Sequence, residues 1–124
     1  MASFEIHGGK SLKGELIPQG AKNEALQVLC APLLTAEKVT ISNIPDIVDV
    51  NKLIGLLQAM GVKIEKVEKG TYIFQAKEIN LDYLQTEDFK IRAGSLRGSV
   101  MIVGPLLARY GVGYLPKPGG DKIG

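Results

Sequence analysis

Several residue types are scarce in this sequence, and each shortage argues against a class of function. The single cysteine, Cys30, rules out an internal disulfide and fits a reducing compartment. The one histidine, His7, has no cysteine, histidine or acid at metal-ligand spacing, so we expect no metal site. Aromatic residues make up 6% of the chain and are scattered, which argues against a stacking surface for nucleic-acid bases.

Long apolar runs are missing as well. The longest stretches, LCAPLL and VMIVGPLLA, are much shorter than the roughly 20 residues that span a bilayer. The start, MASFEIHGGK, has neither the basic lead nor the apolar run of a secretion signal. The net charge of +2 gives no broad attraction to nucleic acid or to an acidic membrane. The sequence therefore predicts a soluble cytoplasmic protein with neither of these partners.

A length of 124 residues suits one modest domain. Alternating apolar residues between glycine and proline predict strands, and a continuous or helically spaced apolar pattern predicts helices. The predicted elements, in chain order, are short strands in FEIHGG and KSLKGELIP, a buried helix in ALQVLCAPLLTA, a strand in KVTISNIP, an amphipathic helix over residues 45–62, a hairpin over residues 62–78 that turns at Lys69-Gly70, a polar connection in NLDYLQTEDFK, a second buried helix in SVMIVGPLLARYG and a last strand in VGYLP.

The two apolar helices belong to an internal similarity at a spacing of 73 residues. APLLTAEKVTISNIP, from Ala31, matches GPLLARYGVGYLPKP, from Gly104, at five of fifteen positions. Each copy has a proline inside its predicted helix, Pro32 or Pro105, although an interior proline costs about 3 kcal/mol. A repeated unit would account for this, and two copies predict an α/β domain with helices inside and sheets outside. The alternative is two unrelated apolar helices.

Basic residues stand where both apolar helices are predicted to begin. Lys22 and Asn23 lie in GAKNEA, and Arg97 lies in GSLRGS, among small residues that let a ligand approach the backbone. A cation does not help the start of a helix, whose free N–H groups favour negative charge, so this placement indicates an anionic ligand. The alternative is that both cations are solvated surface charges. Arg92, five residues before Arg97, is a weaker candidate.

The remaining candidates are Cys30 and Asp121. Cys30 lies mid-helix among leucines, where a packed small apolar residue is expected rather than a nucleophile. Asp121 follows a Pro-Gly-Gly turn, and loops of this kind often carry functional side chains. The alternative is that Asp121 only makes the local backbone hydrogen bonds of a turn. The spacing in GGDKIG fits neither a Walker loop nor a dinucleotide fingerprint, so no metal or nucleotide cofactor is supported.

Three motifs, GAKNEAL, RGSVMIVGPLLARYG and PKPGGDKIG, together resemble the enolpyruvyl transferases, and the resemblance runs over essentially all 124 residues. It implies an inside-out α/β barrel built from repeated units, with helices inside and sheets outside. Residues 1–20 would be strands of a second, missing domain, and residues 21–124 would be a partial first domain of two repeat units. The family's members are much longer, which implies that a C-terminal part of the same protein is missing.

The resemblance also implies a reaction, which is transfer of the enolpyruvyl group of phosphoenolpyruvate to the 3'-hydroxyl of UDP-N-acetylglucosamine with release of phosphate. This is the first committed step of peptidoglycan synthesis, and so serves cell wall biogenesis, cell shape and cell division. By resemblance, Lys22 and Asn23 contact phosphoenolpyruvate, Arg97 lies on the nucleotide-sugar side, and the loop with Asp121 closes over the substrates.

The loop departs from the family pattern, because most members have a cysteine where this chain has Asp121. An aspartic acid has a reference pKa of about 3.9, against about 8.5 for a cysteine, so Asp121 must be desolvated to hold a proton as donor. We expect that it is, and that the enzyme is insensitive to fosfomycin, which alkylates the cysteine.

Two rival interpretations remain. One is the shikimate-pathway enolpyruvyl transferase, although Asn23 after Lys22, and the KIG that follows Asp121, favour the nucleotide-sugar enzyme. The other is a catalytically inactive fragment, since the chain alone is expected to turn over nothing.

Overall fold

The computed structural model describes residues 2–115 and 117. Helices and a small sheet alternate along this part of the chain, so the protein is of the α/β type. The elements in order are α1 (Lys22–Val28), a 3-10 helix (Ala31–Leu34), β1 (Lys38–Ile41), α2 (Val48–Ala59), β2 (Lys63–Glu68), β3 (Thr71–Gln75), a 3-10 helix (Leu81–Gln85), α3 (Glu87–Gly94), a 3-10 helix (Arg97–Ile102) and α4 (Val103–Tyr110).

The sheet has three antiparallel strands in the order β1-β3-β2. The predicted hairpin is confirmed, since β2 and β3 pair around Gly70, whose φ of 76° is the left-handed conformation that a glycine adopts without strain. The central strand places Phe74 fully inside the core, opposite Val39 on one side and Ile64 on the other. Alternation along β3 therefore fixes which face of the sheet meets the helices.

The amphipathic helix predicted over residues 45–62 is α2, and it is the centre of the core. Its apolar face buries Val50, Leu53 and Leu57, while Asn51 and Lys52 remain exposed. The helix contacts α1, α3 and β2, so it joins the sheet to the helical layer. The apolar spacing of three and four residues produces this single buried stripe.

The first twenty residues differ from the prediction. Residues 2–20 contain neither strand nor helix, so the two expected strands are not present in the structure. A strand needs a neighbour for its backbone hydrogen bonds, and this segment has no such neighbour in the described chain. Its large apolar side chains are between 85% and 97% exposed, and they are Phe4, Ile6, Leu12, Leu16 and Ile17. The assignment of these residues to another domain stays a prediction.

The predicted polar connection over residues 80–90 is wrong, because this stretch forms a 3-10 helix and the first half of α3. Thr86 caps α3 by accepting a hydrogen bond from the Phe89 N–H at 3.2 Å, and Glu87 and Asp88 fill the first turn. Negative charge in the first turn is stabilised by the helix dipole. Leu84 and Phe89 are buried, so the segment is part of the core rather than a surface loop.

The two prolines of the proposed repeat lie in different helical settings. Pro32 is in the first turn of the 3-10 helix Ala31–Leu34, and Pro105 is the third residue of α4. Pro32, in a first turn, has no intrahelical N–H bond to lose, whereas α4 continues directly from the 3-10 helix Arg97–Ile102, so Pro105 lies within a helical stretch as predicted. The two segments contact each other. The strand predicted in VGYLP is not present over residues 112–115, so the second copy does not reproduce the first.

Each of the two apolar helices is buried on one side only. In α1, Leu26 is buried while Val28 is 42% exposed, and in α4, Leu106 is buried while Leu107 is half exposed. The sequence predicted two buried helices, but within the described residues each helix is buried on one face and exposed on the other. The side chain of Arg109 fastens α4 to the rest of the fold, because it donates hydrogen bonds to the carbonyls of Leu33, Thr35, Ala76 and Lys77.

No helix in the described part of the chain has the length and apolar character needed to cross a bilayer.

Candidate functional site

A cleft of about 530 Å³ lies where the start of α1, the first turns of α2 and the 3-10 helix Arg97–Ile102 come together. Its floor and walls are apolar, from Leu26, Leu96, Val100 and Met101. The polar side chains that line it are Lys22, Asn23, Gln27, Asp49, Lys52, Ser95 and Arg97. Among the described residues, Asp49 is the one acid in this lining, so the side chains of the cleft carry a net positive charge.

The structure places the three substrate-binding candidates, Lys22, Asn23 and Arg97, on the same cleft, although they are far apart in the sequence. Lys22 and Asn23 are the first residues of α1, and Arg97 is the first residue of its 3-10 helix. The two segments pack directly, because a Cβ at Gly98 would lie 3.3 Å from Cδ1 of Leu26. Gly98 therefore permits the close approach that places Lys22 and Arg97 on one cleft.

The entry into α1 is also set by a close backbone approach. A Cβ added to Gly20 would overlap the backbone carbonyl of Asn43, so only glycine fits at this position. Asn43 itself has a φ of 56°, a left-handed conformation that asparagine tolerates better than most residues. This contact holds the start of α1 beside the segment that leads into α2, and so brings Lys22 near Asp49.

Lys22 is held by an ion pair that the sequence did not predict. Its Nζ lies 3.3 Å from Oδ2 of Asp49, and the two side chains are 46% and 39% exposed. Such a pair in water contributes little to stability, but it restricts where the ammonium group lies. Asp49 and Lys52 are three residues apart on α2, and this spacing is the signal that places both on the same helix face.

The charges in the cleft favour an anion. Lys22, Lys52 and Arg97 supply three positive charges and Asp49 one negative charge, which leaves an excess of two positive charges. Arg97 begins a 3-10 helix rather than the long buried helix that was expected, and α1 has only seven residues with no side-chain cap at Ala21. Recognition of an anion therefore depends on these side chains rather than on helix ends.

The other candidates lie apart from the cleft. The guanidinium of Arg92 forms an exposed ion pair with the carboxylate of Asp88 at 3.0 Å, and Arg92 does not line the cleft. Cys30 is buried, its thiol donates to the carbonyl of Leu26, and burial raises its pKa to about 12, so the prediction of a packed cysteine is confirmed. His7 is exposed and contacts Glu5.

Asp121 lies outside the described residues, so its role stays a prediction. Among the residues that are described, no group of three or more His, Cys, Asp or Glu side chains could hold a metal ion.

Comparison with known proteins gives one family and a set of close relatives. Residues 6–124 match the family described as EPSP synthase (3-phosphoshikimate 1-carboxyvinyltransferase). Over all 124 residues the chain is 57% identical to a UDP-N-acetylglucosamine 1-carboxyvinyltransferase of Porphyromonas gingivalis and 57% identical to one of Bacteroides thetaiotaomicron. One of Bacteroides fragilis is 56% identical. In each comparison all of this chain is covered, and it spans 29% of the relative's length.

Proposed function

The chain belongs to the EPSP synthase family, and on that premise we propose that its protein transfers the enolpyruvyl group of phosphoenolpyruvate to the 3'-hydroxyl of UDP-N-acetylglucosamine, with release of phosphate. Relatives 57% identical to it carry the name of that activity, which supports the choice of acceptor. The observation that carries the proposal is the shared cleft, in which Lys22, Asn23 and Arg97 meet with an excess of positive charge.

The substrates are two anions, and the lining of the cleft suits them. Lys22 and Asn23 would bind phosphoenolpyruvate, with the ammonium of Lys22 against its phosphate or carboxylate and the amide of Asn23 donating a directed hydrogen bond. Arg97 would bind the nucleotide sugar, because a guanidinium pairs with two phosphate oxygens at once. Fixed cations of this kind stabilise negative charge without moving during the reaction.

The chemistry needs proton transfer at two points. The acceptor hydroxyl adds to C2 of phosphoenolpyruvate and loses its proton, while the methylene carbon C3 gains one. C3 then gives up a proton and the phosphate leaves C2, which restores the double bond. We assign the proton donation to Asp121, whose pKa must be raised by desolvation when its loop closes over the substrates.

The rest of the architecture is proposed from the same family premise. Residues 1–20 would join a second domain, and residues 21–124 would be part of an inside-out barrel of repeated units. Exposed apolar patches indicate a missing contact surface. The exposed apolar side chains of the N-terminal segment therefore support its assignment to a second domain. The exposed apolar faces of α1 and α4 support the larger barrel. The protein would be a cytoplasmic enzyme of peptidoglycan synthesis, and so of cell wall biogenesis, cell shape and cell division.

A second acceptor has one observation in its favour, which is that the matching family is described by the shikimate reaction. Transfer to shikimate 3-phosphate is therefore the rival activity.

The test is phosphate release by the full-length gene product from phosphoenolpyruvate, with either acceptor. We expect turnover with UDP-N-acetylglucosamine and none with shikimate 3-phosphate. Replacing Lys22 with Gln is expected to lower kcat/KM by about 100-fold, the loss typical of one lost electrostatic contact to the reacting groups. The same change at Lys63, which is exposed on β2, should leave kcat/KM unaltered. Turnover with shikimate 3-phosphate alone would refute the proposal.

The 124-residue polypeptide by itself is expected to release no phosphate, because it spans 29% of the relatives' length.

A further inference from the structure

We propose that Lys52 is an additional substrate-binding residue, whose ammonium group contacts the diphosphate of the acceptor nucleotide sugar. This inference rests on the proposed function, because it names a further ligand-binding residue of the same cleft. It starts from an arrangement of charges on one face of α2.

Asp49 and Lys52 are the charged residues that α2 presents to the cleft. They are three residues apart in the first turns of the helix, so their side chains lie on the same face, one above the other. Asp49 turns toward Lys22 and pairs with it at 3.3 Å. The helix therefore offers the cleft one carboxylate that is already engaged and one ammonium group beside it.

Lys52 differs from Lys22 in its own contacts. Within the described chain, no hydrogen bond or ion pair joins Lys52 to another residue, although Asp49 is nearby in sequence. Asp49 offsets part of the charge of Lys22, so the positive field of Lys52 is the less compensated of the two lysines. A long, exposed side chain at the cleft wall can follow a ligand as it binds.

The diphosphate is the ligand group that fits this position. Under the proposed function, phosphoenolpyruvate is bound by Lys22 and Asn23, which leaves Arg97 as the cation assigned to the acceptor among the described residues of the cleft. A diphosphate carries about two negative charges, and both arginine, as a bidentate fork, and lysine, as a point charge, bind phosphates in proteins. Lys52 supplies the second cation. The competing interpretation is a solvated lysine that contacts no ligand.

The experiment compares the full-length gene product with Lys52→Gln, Lys52→Arg and the matched variant Lys63→Gln. Two quantities are measured: the affinity for UDP-N-acetylglucosamine in the absence of phosphoenolpyruvate, and the KM for each substrate. We expect Lys52→Gln to weaken acceptor binding and raise the acceptor KM by about tenfold, with the KM for phosphoenolpyruvate changed by less than about twofold. Lys52→Arg should restore most of the affinity, because the charge is kept, and Lys63→Gln should behave as the unmodified protein.

Two results would overturn the inference while leaving the proposed function intact. One is an unchanged acceptor affinity in Lys52→Gln, and the other is a rise in the KM for phosphoenolpyruvate instead of the acceptor. If the unmodified protein neither binds nor turns over UDP-N-acetylglucosamine, the proposed function itself fails and the inference fails with it.

Discussion

At the scale of single residues, Lys22 is placed by its neighbour. Lysine has a flexible four-carbon stem, so an ammonium group in water samples many positions. The carboxylate of Asp49, at 3.3 Å, selects the positions near α2 and keeps the charge at one wall of the cleft. Asp49 also subtracts one charge from the cleft. By orienting Lys22, Asp49 should favour the binding of an anionic substrate, and by its own negative charge it should weaken that binding.

The variant Asp49→Asn separates these effects. Loss of the carboxylate raises the net charge of the cleft, so binding of phosphoenolpyruvate should not weaken, whereas loss of orientation should lower kcat by about tenfold. The measurement is kcat and the KM for phosphoenolpyruvate in the full-length gene product. The control is Asp46→Asn, since Asp46 contacts Asn51 and does not line the cleft. An unchanged kcat, or a raised KM alone, would show that Asp49 does not position Lys22.

Cys30 is a residue whose environment sets its chemistry. Burial raises the pKa of its thiol from 9.0 to about 12. At pH 8 the folded protein should therefore resist iodoacetamide, and denaturant should make the thiol react, because the thiolate is the nucleophile. The extent of labelling, followed by mass, tests this. Equal rates of labelling in the native and unfolded protein would contradict the burial of Cys30.

The same pKa shift predicts a pH dependence of stability. A folded-state pKa above the unfolded value stabilises the fold below about pH 9, and this contribution is lost as pH rises from 9 toward 12. The unfolding free energies of the protein and of Cys30→Ala should therefore converge over that range. Alanine removes packing at every pH, so the change in the difference with pH is the relevant quantity. A constant difference from pH 8 to 11 would exclude a role for Cys30.

At the scale of elements, α4 is joined to the rest of the molecule by Arg109. Its guanidinium donates to carbonyls at the end of the 3-10 helix Ala31–Leu34 and just after β3. These carbonyl groups lie at or just beyond the ends of regular elements. They therefore lack the backbone N–H partner that a continuing helix or strand would supply. One planar group with several N–H donors meets this need.

Replacing Arg109 with Met is expected to lower the free energy of unfolding by about 2–4 kcal/mol, because the carbonyl groups are left without donors in a partly buried place. Denaturant unfolding measures the change. Arg92→Met is the control, since Arg92 makes an exposed ion pair and its loss should change stability far less. Equal losses in the two variants would contradict the role given to Arg109.

The elements also show what the sequence could and could not predict. The Lys69-Gly70 turn and the apolar spacing of α2 act locally, so both were predicted correctly. The helix over Glu87–Gly94 was missed although Thr86, Glu87 and Asp88 form a capping signal, because the stretch is mostly polar and lacks a clear apolar periodicity. The strands expected before Gly20 require partners from elsewhere, which a local pattern does not supply.

The candidate site was predictable only where local sequence carries the signal. Lys22, Asn23 and Arg97 stand out by their unusual placement, and the structure brings them to one cleft. Asp49 and Lys52 were missed because their helix was interpreted as an ordinary amphipathic surface helix. Their place in the cleft follows only when α1 and α2 are seen side by side, a tertiary relation to which the close approach of Gly20 and Asn43 contributes.

At the scale of the whole molecule, the proposed loop acid predicts a response to an inhibitor. A carboxylate is a weaker nucleophile toward fosfomycin than a thiolate. The full-length gene product should therefore keep its activity during incubation with fosfomycin. The variant Asp121→Cys, if active, should lose activity with time. Rapid irreversible inactivation of the unmodified protein would refute the assignment of Asp121.

The contacts of Arg109 have a consequence for the order in which the chain folds. They join residues separated by 32 to 76 positions, so forming them carries the entropic cost of closing long loops, and we expect them to form late in folding. Interactions that form late are largely absent from the folding transition state, and their removal mainly accelerates unfolding. We therefore expect Arg109→Met to fold at nearly the rate of the unmodified protein and to unfold faster, which stopped-flow folding and unfolding rates would test.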